Sequence, residues 1–155
     1  MSNETTFDRW FDELVKRHQQ NLTFQEIRKA LQALSSVYVQ KRDKLKKGAA
    51  LDSAGKRAAF AVFYGPLHYI FMQAVLEELD PDPTKLGHII DLGCGTGVGA
   101  AAWSTLGGGK ATVEGVDLNK WAVSEARLTY QAFGLRGQSR SGNLTGAKLP
   151  GAGGG

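Results

Sequence analysis

Seven consecutive residues, Asp91, Leu92, Gly93, Cys94, Gly95, Thr96 and Gly97, combine an acid with three glycines at alternate positions. Glycine reaches positive φ without strain and removes the Cβ atoms that would hold a ligand away from the backbone. Where such a loop joins a strand to a helix, the first helical N–H groups have no partner and face outward, ready for a hydrogen-bond acceptor. A second acid, Asp117, follows Gly97 by 20 residues. That is the distance at which a strand-helix-strand unit brings its second strand back beside the first and sets a carboxylate against ribose hydroxyls. The loop alone fits a tight turn in any α/β domain; the loop with both acids is a constellation for a nucleoside-bearing ligand.

Two ligand classes compete for it. Gly95, Gly97 and Ala100 fit the G-x-G-x-x-A pattern of nicotinamide and flavin dinucleotide sites. A dinucleotide brings its pyrophosphate to this helix end, however, and a carboxylate at Asp91 beside two phosphates is repulsive. S-adenosyl-L-methionine has no phosphate and carries an ammonium and a sulfonium, so the acid suits it. The residues favour the methyl donor, with an NAD(P)-dependent oxidoreductase as the rival. Cys94, inside the loop, has no histidine near it in sequence, and its position suits a backbone contact better than a nucleophile.

The surrounding pattern supplies the elements that such a loop needs. Residues 87–92 (GHIIDL) read as a short buried strand and residues 97–106 as an alanine-rich helix, with the glycines at 107–109 ending it. Residues 111–116 alternate as a second strand, and residues 120–133 read as a helix closed by Gly134. Repetition of strand and helix predicts a parallel sheet. Residues 135–141 stand where a third strand belongs, although few of them are β-branched. Upstream, Phe7, Trp10, Phe11, Leu14 and Val15 form one apolar stripe on a helix over 6–18. Thr23 and Glu26 form a capping box, with Leu22 and Ile27 at the staple positions. The helix they start is expected to reach about Lys46, with Ile27, Leu31, Leu34, Tyr38 and Leu45 inward. Residues 46–56 read as a linker, and residues 57–64 and 67–79 as two helices broken at Gly65-Pro66.

IIDLGCGTG followed by VEGVDLN resembles the first two motifs of class I S-adenosylmethionine-dependent methyltransferases, over about residues 87–135. The resemblance implies a Rossmann-like α/β fold. It also implies that the loop backbone at Gly93, Cys94, Gly95, Thr96 and Gly97 lines the methionine end, that Asp91 supports it, and that Asp117 holds the ribose. Leu118 and Trp121 would then lie beside the adenine. Asn143 stands at the place of the family's third-motif acid. The segment AFAVFYGPLHYIFMQAVLEELDPDP, leading into the loop, is similar to the ribosomal-small-subunit methyltransferase-like family, which includes a mitochondrial ribosome assembly factor and bacterial relatives. That likeness suggests Tyr64 as a cover for the methionine end.

Bulk properties set the remaining expectations. The chain has 155 residues, 42% of them hydrophobic, and a net charge of +4. Up to residue 60 there are twelve bases against seven acids, and beyond it seven against eight. The basic N-terminal helices therefore fit a phosphate-rich partner such as ribosomal RNA or the small ribosomal subunit, with solvated helix faces as the plainer alternative. A single cysteine excludes an internal disulfide and a cysteine-based metal site, and His18, His68 and His88 lack ligand spacing, so no metal is expected. The N-terminus resembles neither a secretory signal nor a transit peptide, and Gly65-Pro66, His68 and Gln73 argue against a membrane span over 58–76. A cytoplasmic protein follows as the expectation.

The resulting division is a basic helical extension over 1–56 and the N-terminal part of a class I methyltransferase domain over 57–155, ending before a fourth strand. The expected activity is methyl transfer to RNA or a ribosomal component in a longer protein, with this portion inactive by itself; the catalytic acceptor-side residues are not in view. A non-catalytic methyltransferase-like ribosome assembly factor is the further alternative.

Overall fold

The computed structural model describes residues 4–40 and 49–146. Helix α1 (Thr6–His18) opens with Thr5 and Asp8 in a reciprocal capping box: Asp8 Oδ2 accepts from the Thr5 N–H at 2.8 Å and Thr5 Oγ1 from the Asp8 N–H at 3.1 Å. Helix α2 (Phe24–Gln40) starts as its sequence predicts, with Glu26 Oε2 accepting from the Thr23 N–H at 2.7 Å. Ile27 and Leu34 are buried, and Leu31 and Tyr38 are partly so. The expected extension to Lys46, including Leu45, lies outside the described residues.

Two expectations for the next segment are corrected. The described part of the supposed linker is structured: residues Ala49–Leu51 form a single 3₁₀ turn, and Ala50 and Leu51 are buried against Leu34. Helix α3 (Ala54–Ala59) starts at once, with Ser53 Oγ accepting from the Lys56 N–H. Nor does Gly65-Pro66 break the helix. A π-turn at Phe60–Tyr64 joins α3 to α4 (Gly65–Leu79), and the Gly65 N–H donates to the Phe60 carbonyl. The proline then stands in the first turn of α4, where a missing N–H costs least, and the wide turn before it absorbs the change of pitch. The continuous helix, Ala54–Leu79, runs across the expected boundary at residues 56 and 57. By length and composition it is apolar enough to cross a membrane, but Ala58, Ala59, Ala61, Gly65, Pro66, Tyr69 and Leu76 are packed inside the protein.

Beyond α4 the chain alternates as its pattern predicts: β1 (His88–Leu92), α5 (Val98–Leu106), β2 (Thr112–Asp117), α6 (Lys120–Ala132) and β3 (Arg136–Ser141). The sheet is parallel throughout, in the order β1-β2-β3. Asp91 is level with Gly115, and Leu92 with Val116. The third strand forms despite its poor β-propensity because its residues fit where it lies. At Gly137 an added Cβ would stand 2.8 Å from the Val113 carbonyl oxygen. Ser139, almost fully buried, donates to the Val123 carbonyl at 2.8 Å. Its other residues are exposed, so β-branched side chains would have little to pack on.

The N-terminal helices share the core of the sheet domain. Trp10 and Leu14 of α1 are buried in one cluster with Tyr69 and Leu76 of α4 and Val98, Ala101 and Ala102 of α5. Phe7 stacks on Tyr69 at 5.0 Å between ring centroids, and Trp10 meets Phe133 at 5.5 Å. Burying each such large side chain contributes about 1.5–3 kcal/mol, enough to fix α1 and α4 against α5. A bidentate ion pair from Arg17 of α1 to the buried Glu125 of α6, at 2.5 and 2.9 Å, ties α1 to the helix that follows β2.

Candidate functional site: the glycine loop and the cleft above it

The loop between β1 and α5 is built by backbone bonds to β2. The N–H groups of Gly93 and Cys94 both donate to the Val116 carbonyl, at 2.7 and 3.0 Å, and the Gly97 N–H closes a turn onto the Cys94 carbonyl at 2.8 Å. Gly93, Gly95 and Gly97 all have positive φ. Gly97 is the tightest: a Cβ there would stand 2.8 Å from the Tyr130 ring and 3.0 Å from Ala126 Cβ. The loop is thus pressed onto α6 at one glycine and left open at Gly95, where nothing among the described residues lies within 4 Å of an added Cβ.

The two acids end neighbouring strands and have different surroundings. Asp117 is held in place: its Oδ2 accepts from the Gly95 N–H at 2.9 Å and its Oδ1 from the Asn119 N–H at 2.8 Å. Each oxygen keeps a second lone pair, and the residue is only partly buried, so hydroxyl donors can still reach it. Asp91 is half-buried as a residue, yet its Oδ2 is closed off from solvent and has no hydrogen-bond partner among the described residues. Burial raises its pKa, the nearby Ala100 amide lowers it in part, and the Asp117 charge raises it further.

Cys94 is 6% exposed, and its side chain lies against Gly115 beside Tyr130. Burial first, and then the charges of Asp91 and Asp117, push its thiol up to about 12. An unionised thiol at that depth is no nucleophile, which leaves the backbone as the useful part of the residue. Burial likewise raises the Tyr130 hydroxyl, which has no hydrogen-bond partner among the described residues. Thr96 is buried under Gly65 of α4.

A cleft of about 400 Å³ opens above the loop. Asp91, Gly93, Cys94, Gly95, Thr96, Val98 and Gly99 form one wall, and Phe60, His68, Phe71 and Met72 of the π-bulged helix form the other. Sequence reasoning missed that second wall. The available signal was the placement of Phe60, His68 and Phe71 around Gly65-Pro66, which reads as one face only once the helix is known to be unbroken. Tyr64 is not part of the wall. Its hydroxyl shares a hydrogen bond with Ser35 Oγ at 3.1 Å, and its ring packs against Tyr38 and Phe60.

The remaining expected residues separate into two groups. Leu118 is 67% exposed immediately after Asp117, free to meet a flat ligand surface. The Gly142 N–H donates to the Asp117 carbonyl at 3.0 Å, which brings the turn containing Asn143 beside the end of β2. Asn143 Oδ1 there accepts from the Thr145 N–H, and Leu144 reaches to 3.9 Å from the Cβ position of Gly93. Trp121, in contrast, packs into apolar clusters with Phe60 and Tyr64 and meets the edge of His18. A larger groove, about 590 Å³, lies between α1 and α6, but no loop residue lines it.

Comparison with known proteins gives the family of the stretch that holds this loop. Residues 71–150, just over half of the chain, match the family model described as methyltransferase small domain. "Ribosomal RNA small subunit methyltransferase C" of Pseudomonas entomophila (strain L48) is 34% identical over 107 residues, 60% of this chain and 31% of that protein. The protein of the same name from Shewanella piezotolerans is 39% identical over 71 residues, 43% of this chain and 20% of its own length. The chain thus spans about a third or less of the curated relatives it matches. Among solved structures, the apo form of the S-adenosylmethionine-dependent methyltransferase SibL aligns over 94% of this chain and 44% of its own, at 16% identity and a TM-score of 0.48. The matched stretch contains the glycine loop, both strand-end acids, α6 and β3, and the chain belongs to the methyltransferase small-domain family.

Proposed function

We propose that this chain binds S-adenosylmethionine in the cleft above the glycine loop and forms the methyl-donor side of a methyltransferase that acts on small-subunit ribosomal RNA. The observation that carries the donor reading is Asp91, a carboxylate that lines the cleft and whose Oδ2 has no hydrogen-bond partner among the described residues. An unpaired buried carboxylate is costly, and a cationic ligand removes the cost where a phosphate would increase it. Asp91 would face the ammonium, the open backbone at Gly95 would admit the ligand, and the free lone pairs of Asp117 would accept from the ribose hydroxyls. Leu118 and the turn at Asn143 would flank the adenine. Bound there, S-adenosylmethionine would supply an electrophilic methyl group on a sulfonium sulfur, with Asp91, the Gly95 backbone and Asp117 holding it.

The RNA part of the proposal is supported by the names of the relatives and by the charge on the N-terminal helices. Some of that charge is already engaged: Arg17 pairs with Glu125, Lys56 with Asp52, and Arg57 donates to the Leu51 carbonyl. Arg9, Lys16, Arg28 and Lys29 are exposed and form no ion pair among the described residues, so these four are the candidates for phosphate contacts. Calorimetry with S-adenosylhomocysteine and NADPH tests the donor reading. Binding of the first and not the second is expected; binding of NADPH alone would transfer the site to the dinucleotide class.

A further inference from the structure

We infer that His68 is a binding residue for the α-carboxylate of the ligand, acting across the cleft from Asp91, so that the two walls together recognise an amino-acid zwitterion. This rests on the methyl-donor reading and adds to it the means by which the amino-acid end is selected. The polar side chains lining the cleft are few: Asp91, Cys94 and Thr96 on the loop wall, and His68 on the helix wall. Cys94 is turned toward Gly115 and Thr96 is buried under Gly65, which leaves a carboxylate and an imidazole on opposite sides. Asp91 can accept only from the cationic end of a zwitterion. The anionic end needs a donor, and an imidazole carries at least one N–H in either protonation state.

The ring is oriented but not occupied. His68 is exposed and makes no hydrogen bond among the described residues. Phe60 meets it edge-on at 6.4 Å, and Tyr64 lies against it at 5.9 Å. Tyr64 is itself fixed by its hydrogen bond to Ser35, so α2 supports the helix wall through one intermediate ring. The π-turn at Phe60–Tyr64 ends one helical turn before His68, and Phe60, His68 and Phe71 line one cleft. Single π-turns within a helix recur at functional sites because they re-aim the residues that follow.

The test is calorimetry on the full 155-residue chain with S-adenosylhomocysteine and with decarboxylated S-adenosylhomocysteine, which keeps the amine and loses the carboxylate. The wild-type chain is expected to prefer the complete ligand by about ten- to a hundred-fold, as for a hydrogen bond to a charged group. His68→Ala should abolish that preference with little change in affinity for the decarboxylated ligand, and His68→Gln, which keeps a donor, should restore part of it. An unchanged melting temperature shows that the exposed substitution leaves the fold intact. A wild-type chain that binds both ligands equally, or a His68→Ala chain that keeps the full preference, overturns the inference while leaving the methyl-donor reading in place. A wild-type chain that binds neither overturns both.

Discussion

The ends of β1 and β2 each carry an aspartate beside the same glycine loop, and their surroundings differ. At the end of β2, Asp117 accepts from two backbone N–H groups, one in the loop and one at the start of the next helix. At the end of β1, Asp91 has a buried oxygen with no hydrogen-bond partner among the described residues. The first arrangement stabilises the loop whether or not a ligand is present. The second leaves a buried carboxylate oxygen unpaired, which is unfavourable by itself. On the proposed reading Asp91 would serve recognition alone, while Asp117 would both hold the loop and accept from the ligand, and the difference follows from which backbone amides each carboxylate reaches.

Both acids can serve one ligand only if the loop between them is rigid, and Gly97 is where that is most easily broken. Gly97→Ala places a methyl group against Tyr130 and Ala126 at positive φ, and should cost about 2–4 kcal/mol of stability in urea unfolding, from left-handed strain and overpacking together. Asp117→Ala strands two amides, with an expected loss of about 1–3 kcal/mol of stability and about 1.5–3 kcal/mol of affinity for S-adenosylhomocysteine. An unchanged dissociation constant would remove Asp117 from the site.

Asp91→Asn should act in the opposite direction on the fold. Burial raises the Asp91 pKa above its unfolded value, so its contribution is most favourable below the ordinary aspartate range and is lost as pH rises through the raised pKa. The asparagine variant should therefore unfold at higher urea than wild type at neutral pH, with the gap closing in acid, while binding S-adenosylhomocysteine about ten-fold more weakly. Loss of stability at neutral pH would show that Asp91 is structural. The smallest effect concerns Cys94, between the two acids. With its thiol pushed up to about 12 it should resist iodoacetamide at pH 8 in the folded chain and react in urea; rapid labelling of the folded chain would contradict its placement.

The loop and its strands were legible because local chemistry dictates them. Three glycines with positive φ between an apolar run and an alanine-rich helix leave few other conformations, and Thr23 with Glu26 marks a helix start by itself. The helix wall was not legible. Pro66 ordinarily signals a break, and only the π-turn, which depends on packing against α1 and α2, carries the helix through it. Tyr64 was misplaced for the same reason: an extra residue in that turn directs it toward Ser35 and α2, and leaves Phe60 and His68 at the cleft. Trp121 looked available from its position after Asp117, but its partial burial against residues distant in sequence is a tertiary fact.

The central claim is that the ligand sits between the glycine loop and the π-bulged helix. Titrating isotopically labelled protein with S-adenosylhomocysteine and following its backbone amide resonances tests this most directly. Perturbations concentrated at residues 93–100, 117–119 and 60–72 are the predicted result. Perturbations confined to the groove between α1 and α6, or none at saturating ligand, would contradict it.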